Sequence, residues 1–359
     1  MNQAVHGIWE RRADEAQSAL ESLFWNESIG MYNIETPCPD GACNTIFHYW
    51  WMAHAADVLT DGFLRTGDAS YAERLSVFFD GLLARNGGVW PNELYDDMEW
   101  MALAWLRAYQ ATGAVKYKEA ALLLWEDIKT GWNEHMGGGI AWQKSQLDYK
   151  NTPANAPAAI LAARLHRAFG SESDLAWALK IYEWQKENLV DPATGFVWDG
   201  MNRLGDGQID KHWKFTYCQG VFIGAAVELY RITKDDRYLA DASRSASASL
   251  AELAHPETML LPDEETGDGG LFKGIYVRYL TELAIENREG ERAVTDVLAS
   301  NAKLLWEQGR GSDSVLFSPN WSAKPEGVVT LSVQLSAVKL LEAATRLSAA
   351  GLIGEEALA

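Results

Sequence analysis

The stretch "MEWMALAWLRAYQATGAVKYKEAALLLWEDI", residues Met98–Ile128, decides the fold. Its first half is apolar nearly all round, as a helix buried on both sides must be. Its second half carries Lys, Glu and Asp along one face, the mark of a helix with one side in water. A short link around Gly113 turns the first into the second. The same hairpin recurs in "AAILAARLHRAFGSESDLAWALKIYEWQKENL" from Ala158 and in "VFIGAAVELYRITKDDRYLADASRSASASLAEL" from Val221.

Working outward, the hairpins are separated by loops rich in glycine and aromatics: "GMY" at Gly30, "GGVW" at Gly87, "GGGIAW" at Gly137, "GFVW" at Gly195 and "GGLFKGIY" at Gly269. "SVLFSPNW" at Ser314 is a degenerate sixth copy. Outer helices are expected near Ile8–Phe24, Ala69–Arg85, Ala114–Thr130, Ser171–Leu189, Asp235–Ala254 and Gly290–Glu307. Inner helices are expected near Thr45–Arg65, Asp96–Ala111, Ala154–Phe169, Thr216–Ile232, Leu271–Asn287 and Val329–Ser348. Six and six alternate, which predicts an all-α (α/α)6 barrel spanning residues 1–359 as one domain. All six inner-helix N-termini then meet at one end, beside the long loops, and that end is the expected binding face. Strand signal is confined to a few loop residues, and no GxGxxG or phosphate loop is present.

Composition narrows the function. A formal charge of −19, with no basic cluster, excludes nucleic acid as a partner. No run of about 18 apolar residues suggests a membrane span. The opening "MNQAVHGIWERRADEAQ" lacks a basic region followed by an apolar one, so a cytoplasmic protein is expected. Cys38, Cys43 and Cys218 read as incidental thiols, although the first two could bridge in an oxidising setting. His135, His166, His212 and His255 share no metal-ligand spacing, so neither metal nor cofactor is expected. The 16 Trp and 13 Tyr supply flat amphipathic surfaces suited to stacking on sugars. The oligomeric state is left open.

The chemistry concentrates in "NELYDDMEW", where Asp96 and Asp97 open an inner helix at the binding face. A helix N-terminus favours acidic residues for capping alone. Two carboxyl groups on neighbouring residues also lie roughly 5 Å apart, the separation a retaining glycosidase uses. In a shared dry pocket like charges split their pKa values, giving one ionised nucleophile and one protonated acid; the residues alone leave open which is which. Trp90, Tyr95 and Trp142 are the candidate aromatic walls. Polar residues at the other helix mouths are candidate sugar contacts: Tyr149, Asn151 and Asn155 in "DYKNTPAN", Asp199 in "DGMN", Gln219 in "FTYCQG" and Lys273 in "FKGIY". His48 is a further candidate at the mouth, whereas Trp51, His54 and Asp57 are expected to pack between helices.

The ordered set "YDDMEWMALAWLRAY", "GGGIAWQ", "YKNTPAN", "FTYCQGVFIGAAVELY" and "GLFKGIYVRYL" resembles glycoside hydrolase family 76 over essentially the whole chain. The resemblance implies an endo-acting α-1,6-mannanase on an (α/α)6 barrel, hydrolysing α-mannosides with retention. It implies Asp96 as nucleophile and Asp97 as acid and then base. Two positions depart from the family pattern: Cys218 stands where Asn is usual, and Pro153 replaces a non-proline residue. Two other functions fit the same barrel. A sugar epimerase or isomerase would use His48 and His212 as bases, and a catalytically inactive glycan-binding protein would keep the aspartates only as hydroxyl ligands.

Overall fold

The computed structural model describes residues 7–354. Among the described residues twelve α-helices alternate as two concentric rings. The inner ring is α2 (Tyr49–Thr66), α4 (Tyr95–Thr112), α6 (Ala156–Phe169), α8 (Thr216–Thr233), α10 (Gly269–Glu286) and α12 (Leu331–Ala349). The outer helices are α1 (Ile8–Phe24), α3 (Ala69–Arg85), α5 (Val115–Lys129), α7 (Glu172–Leu189), α9 (Asp236–Leu253) and α11 (Arg292–Leu304). Each inner helix packs on the next and α12 closes onto α2, so the ring is complete; α1 lies against α12. The expected (α/α)6 barrel is therefore the observed one.

Burial follows the sequence pattern. In α12 every residue from Leu331 to Thr345 is buried, whereas α3 buries only Leu75, Phe78, Phe79 and Leu82. Two glycines let inner helices touch backbone to backbone. A Cβ on Gly220 of α8 would come within 2.7 Å of Tyr276 Cα on α10, and one on Gly274 of α10 within 2.7 Å of Ser336 Cα on α12.

Charges as well as apolar groups fill the ring. Asp57 and Asp61 on α2 are clasped by Arg107 of α4, Arg278 of α10 and Lys339 of α12. Asp57 lies 2.6 Å from Arg107, 2.8 Å from Arg278 and 2.7 Å from Lys339. His54 and Trp51 are buried in the same helix, as expected. Arg164 of α6 and Arg231 of α8 meet at Glu228, and Arg231 continues the belt to Glu282 and Glu286 of α10.

Strands are short and sit in the loops. The largest sheet is antiparallel, pairing Ala141–Gln143 with Gln146–Asn151 and the latter with Gly200–Met201. It stands over the N-termini of α4 and α6. Cys38 and Cys43, read from sequence as incidental thiols, are joined in a disulfide, their Cα atoms 5.8 Å apart; Cys218 is a free, buried thiol.

Candidate active site

The N-termini of α2, α4, α8 and α10, with the loops leading into α6 and α8, surround a cleft of about 560 Å³. Asp96 and Asp97 lie in its floor, in the first turn of α4. Asn92 shapes the approach: its Oδ1 accepts from Leu94 N–H at 2.9 Å, and its Nδ2 donates to Asp97 Oδ2 at 3.3 Å. Asp96 does act as a local cap, since its Oδ1 accepts from Asp97 N–H at 2.8 Å. Its other oxygen, Oδ2, accepts from Trp142 Nε1 at 3.1 Å.

Burial dominates the ionisation of this pair. It pushes Asp96 up to about 7, against the pull of the Asp97 N–H and Trp142 donors, with Asp199 and Asp268 adding to the rise. Asp97 is raised well above the ordinary carboxyl range by burial and then by the charge of Asp96, with one weak donor in opposition. Asp96 is therefore the better anion and Asp97 the better acid. Glu99, one turn below on the same helix, is fully buried, and burial also raises it well above the ordinary range. Among the described residues none of the three is in an ion pair. Arg203 lines the cleft but is held by Asp210 at 3.1 Å.

Asp199 is, with Asp97, one of the two buried acids that line the cleft. Its Oδ2 accepts from Tyr149 at 3.2 Å, and its Oδ1 from Tyr217 at 3.3 Å and from the Cys218 thiol at 3.5 Å. Burial still raises it, despite these donors. Cys218, at the position that departs from the family pattern, is thus turned onto Asp199 and is buried. Pro153 lies in a 3-10 turn, Thr152–Ala154, and lines the cleft beside Asn151. His48 lines it as well, stacked on Trp51 with ring centroids 3.9 Å apart, and burial lowers its pKa.

Of the residues predicted from sequence, Asp96, Asp97, Trp142, Tyr149, Asn151, Asp199 and His48 all line the cleft. Five others are placed elsewhere. Trp90 is packed in the core against Phe79 and Trp105, at 4.7 and 5.5 Å between ring centroids. Tyr95 points outward, its hydroxyl 3.2 Å from Thr130 of the α5 C-terminus. Asn155 clamps the backbone of Ile140, donating to its carbonyl at 3.0 Å and accepting from its N–H at 2.8 Å. Gln219 does the same to Val197, at 2.6 and 2.9 Å. Lys273 is buried over Trp321 and donates to the Pro319 carbonyl. These amides and this ammonium satisfy loop backbone, which explains their position at helix mouths without a ligand.

The structure also adds cleft residues that sequence reasoning passed over. Trp213, Phe215, Phe272 and Trp50 form a continuous aromatic wall, with neighbouring ring centroids 5.2–6.3 Å apart. Tyr217 stacks on Phe272 at 3.9 Å. Asp268 lines the cleft as the N-cap residue of α10, whereas Asp96 is the second residue of α4, so the repeat offered no signal for it. The site is a trough with an aromatic wall, carboxyls in its floor and, among the described residues, no unpaired cation, a combination that suits a polyhydroxylated neutral ligand and proton transfer.

The comparison with known proteins decides the family: the model of glycosyl hydrolase family 76 matches residues 8–353. The chain belongs to that family. It is 29% identical to mannan endo-1,6-alpha-mannosidase DFG5 of Candida albicans, over 94% of this chain and 77% of that one. Its structure is similar to the GH76A alpha-1,6-mannanase from Salegentibacter sp. HEL1_6, with a TM-score of 0.87 and 41% identity over 94% of this chain and 99% of that chain. An inactive variant of that mannanase, with two consecutive aspartates replaced by alanine and alpha-1,6-mannotetrose bound, matches with a TM-score of 0.88. As a family 76 member, the protein is a glycoside hydrolase.

Proposed function

We propose that this protein hydrolyses α-1,6-linked mannosides with retention of configuration, using Asp96 as nucleophile and Asp97 as acid and base. The observation that carries the reading is the placing of the pair: Asp96 and Asp97 line the cleft side by side, with no ion-pair partner among the described residues. Neighbouring carboxyls with no cation beside them oppose each other's ionisation, and the two donors on Asp96, Asp97 N–H and Trp142 Nε1, favour it as the anion. The mannanase relatives support the choice of sugar and linkage.

In the first step a carboxylate oxygen of Asp96 forms a bond to the anomeric carbon while the bond to the leaving oxygen breaks, and Asp97 gives that oxygen its proton. In the second, water attacks the anomeric carbon, Asp97 takes the water's proton, and Asp96 departs as carboxylate. A sugar bound in the trough over Asp96 would displace water from the pair, which strengthens both electrostatic contributions.

The test is chromatography of α-1,6-mannan digests with the wild type, Asp96→Asn and Asp97→Asn. Each variant should lose at least about a thousandfold in rate, as expected when a covalent or proton-transfer partner is removed. Azide should rescue Asp97→Ala on an activated mannoside and give the α-azide, the product expected of a lost acid/base. Full activity in either Asn variant sinks the reading.

The compartment is a separate proposal. A disulfide such as Cys38–Cys43 persists in oxidising surroundings, which favours an extracytoplasmic setting over the cytoplasmic one expected from sequence. Alkylation of the natively isolated, denatured protein should then label Cys218 alone, with Cys38 and Cys43 labelled only after reduction. Labelling of all three without reductant would return the cytoplasmic expectation.

A further inference from the structure

Asp268 is the N-cap residue of α10, yet its side chain makes no capping bond. An aspartate at that position ordinarily accepts from the helix's own first-turn N–H groups. Here the carboxylate is drawn away instead. Its Oδ1 accepts from two indoles of α2, Trp51 Nε1 at 2.8 Å and Trp50 Nε1 at 3.2 Å. The Oδ2 oxygen has no partner within the protein among the described residues, and Asp268 lines the same cleft as Asp96 and Asp97. Two donors on one oxygen fix the plane of the carboxylate and leave the other oxygen free to accept. Trp50, which supplies one of those donors, is also part of the aromatic wall beside Phe272.

We propose that Asp268 is a specificity-determining residue of this cleft, whose free oxygen accepts hydrogen bonds from sugar hydroxyl groups opposite the Asp96–Asp97 floor. This deepens the mannoside reading and rests on it. A carboxylate only accepts, so it selects hydroxyl donors and repels anionic substituents. With Asp96, Asp97 and Asp199 in the same trough and Arg203 committed to Asp210, the site discriminates against phosphorylated or carboxylated sugars.

Asp268 also acts on the floor at a distance, because its charge opposes ionisation of both Asp96 and Asp97. The groups facing it are His48 from the start of α2, whose pKa it raises against the fall imposed by burial, and the two aspartates of α4. Removing its charge lets Asp96 ionise at lower pH, so the acid limb of activity moves down.

The experiment compares wild type, Asp268→Asn and Asp268→Ala for hydrolysis of α-1,6-mannotetraose across pH, for melting temperature, and for binding of α-1,6-mannotriose by calorimetry. In Asp268→Asn the expected result is a KM raised about tenfold, a smaller change in kcat, an acid limb shifted to lower pH and an unchanged melting temperature. Trp51→Phe, which keeps the ring and removes the stronger indole donor, should give an intermediate rise in KM. Unaltered KM, affinity and acid limb in Asp268→Asn overturn the proposal. A lowered melting temperature with unmoved KM and acid limb overturns it too, by making Asp268 a structural residue. A wild type that cleaves or binds mannosides while Asp268→Asn behaves identically refutes this inference alone. A wild type that does neither refutes the mannoside reading, and this proposal with it.

Discussion

Asp57 and Asp61 on α2 share their residue type with Asp96 and Asp97 on α4, and all four but the half-buried Asp96 are buried, yet their surroundings differ in one respect. Burial alone would push Asp57 up. Arg278, Lys339 and Arg107 reverse that and hold it well below the ordinary carboxyl range, and Asp61 is lowered in the same way by Arg107 and Arg278. At the mouth no cation reverses the effect of burial, and both carboxyls rise. Lys339, the weakest cation of the inner clasp, is itself drawn down to about 8 by burial and by Arg278. Where the barrel needs its inner helices tied together, a carboxylate comes with cations. At the proposed catalytic pair no cation stands beside the carboxyls among the described residues. Burial therefore marks neither set as functional by itself, and the partners decide.

The largest effect expected comes from making the same substitution in both places. Asp57→Asn leaves three cations, the buried Lys339 among them, facing one carboxylate and should cost about 3–5 kcal/mol of stability by denaturant titration. Asp96→Asn should abolish hydrolysis while leaving the fold intact. A stable Asp57→Asn protein would break the comparison at its first step.

Dependence on pH sharpens the contrast because the two signs are opposite. The folded-state pKa of Asp57 lies below the unfolded one, so its contribution is present above about pH 4 and is lost as pH falls through the folded value. The folded-state pKa of Asp96, about 7, lies above the unfolded one. The stability it lends as a neutral acid is complete below about pH 4 and is lost as pH rises to 7. Asp96→Asn mimics the neutral acid, so it should melt higher than wild type at pH 8 and no higher at pH 4. Equal melting temperatures at pH 8 would mean that Asp96 ionises without penalty.

A smaller effect is expected at Trp142, whose indole N–H holds Asp96 down. Trp142→Phe keeps an aromatic ring and removes the donor, so Asp96 should ionise at higher pH. The acid limb of kcat/KM should move up, with a loss of about tenfold at pH 6 and less at pH 8, in line with a hydrogen bond to a charged group. A uniform loss at all pH values would instead assign Trp142 to sugar binding alone.

The barrel was legible because its evidence is periodic. An inner helix such as α12 must be apolar on every side, and an outer one such as α3 on one side only, so six repeats of that contrast name the architecture. Asp96 and Asp97 were legible because two like charges at the head of an apolar helix are costly without a purpose. Direction was not legible. Tyr95 precedes Asp96 by one residue, but neighbours on a helix point about 100° apart, so with Asp96 in the floor Tyr95 faces α5. Asn155 and Gln219 occupy the mouths of α6 and α8 as expected, and spend their amides on the backbones of Ile140 and Val197. Asp268 escaped notice because the indoles that turn it into the cleft come from α2, far away in sequence.

Trp90 gives the smallest expected change in activity and a direct check on that distinction between position and direction. It sits in a glycine-aromatic loop, just before α4, and was expected to meet sugar. Its ring instead packs with Phe79 and Trp105, while its carbonyl accepts from the Tyr49 hydroxyl at 2.8 Å. Trp90→Phe removes core volume and leaves that backbone bond in place. It should lower stability by about 1–3 kcal/mol through the space left behind, with KM for mannooligosaccharides unchanged. A raised KM with undiminished stability would return Trp90 to the cleft and show that loop position carried more information than the packing allows.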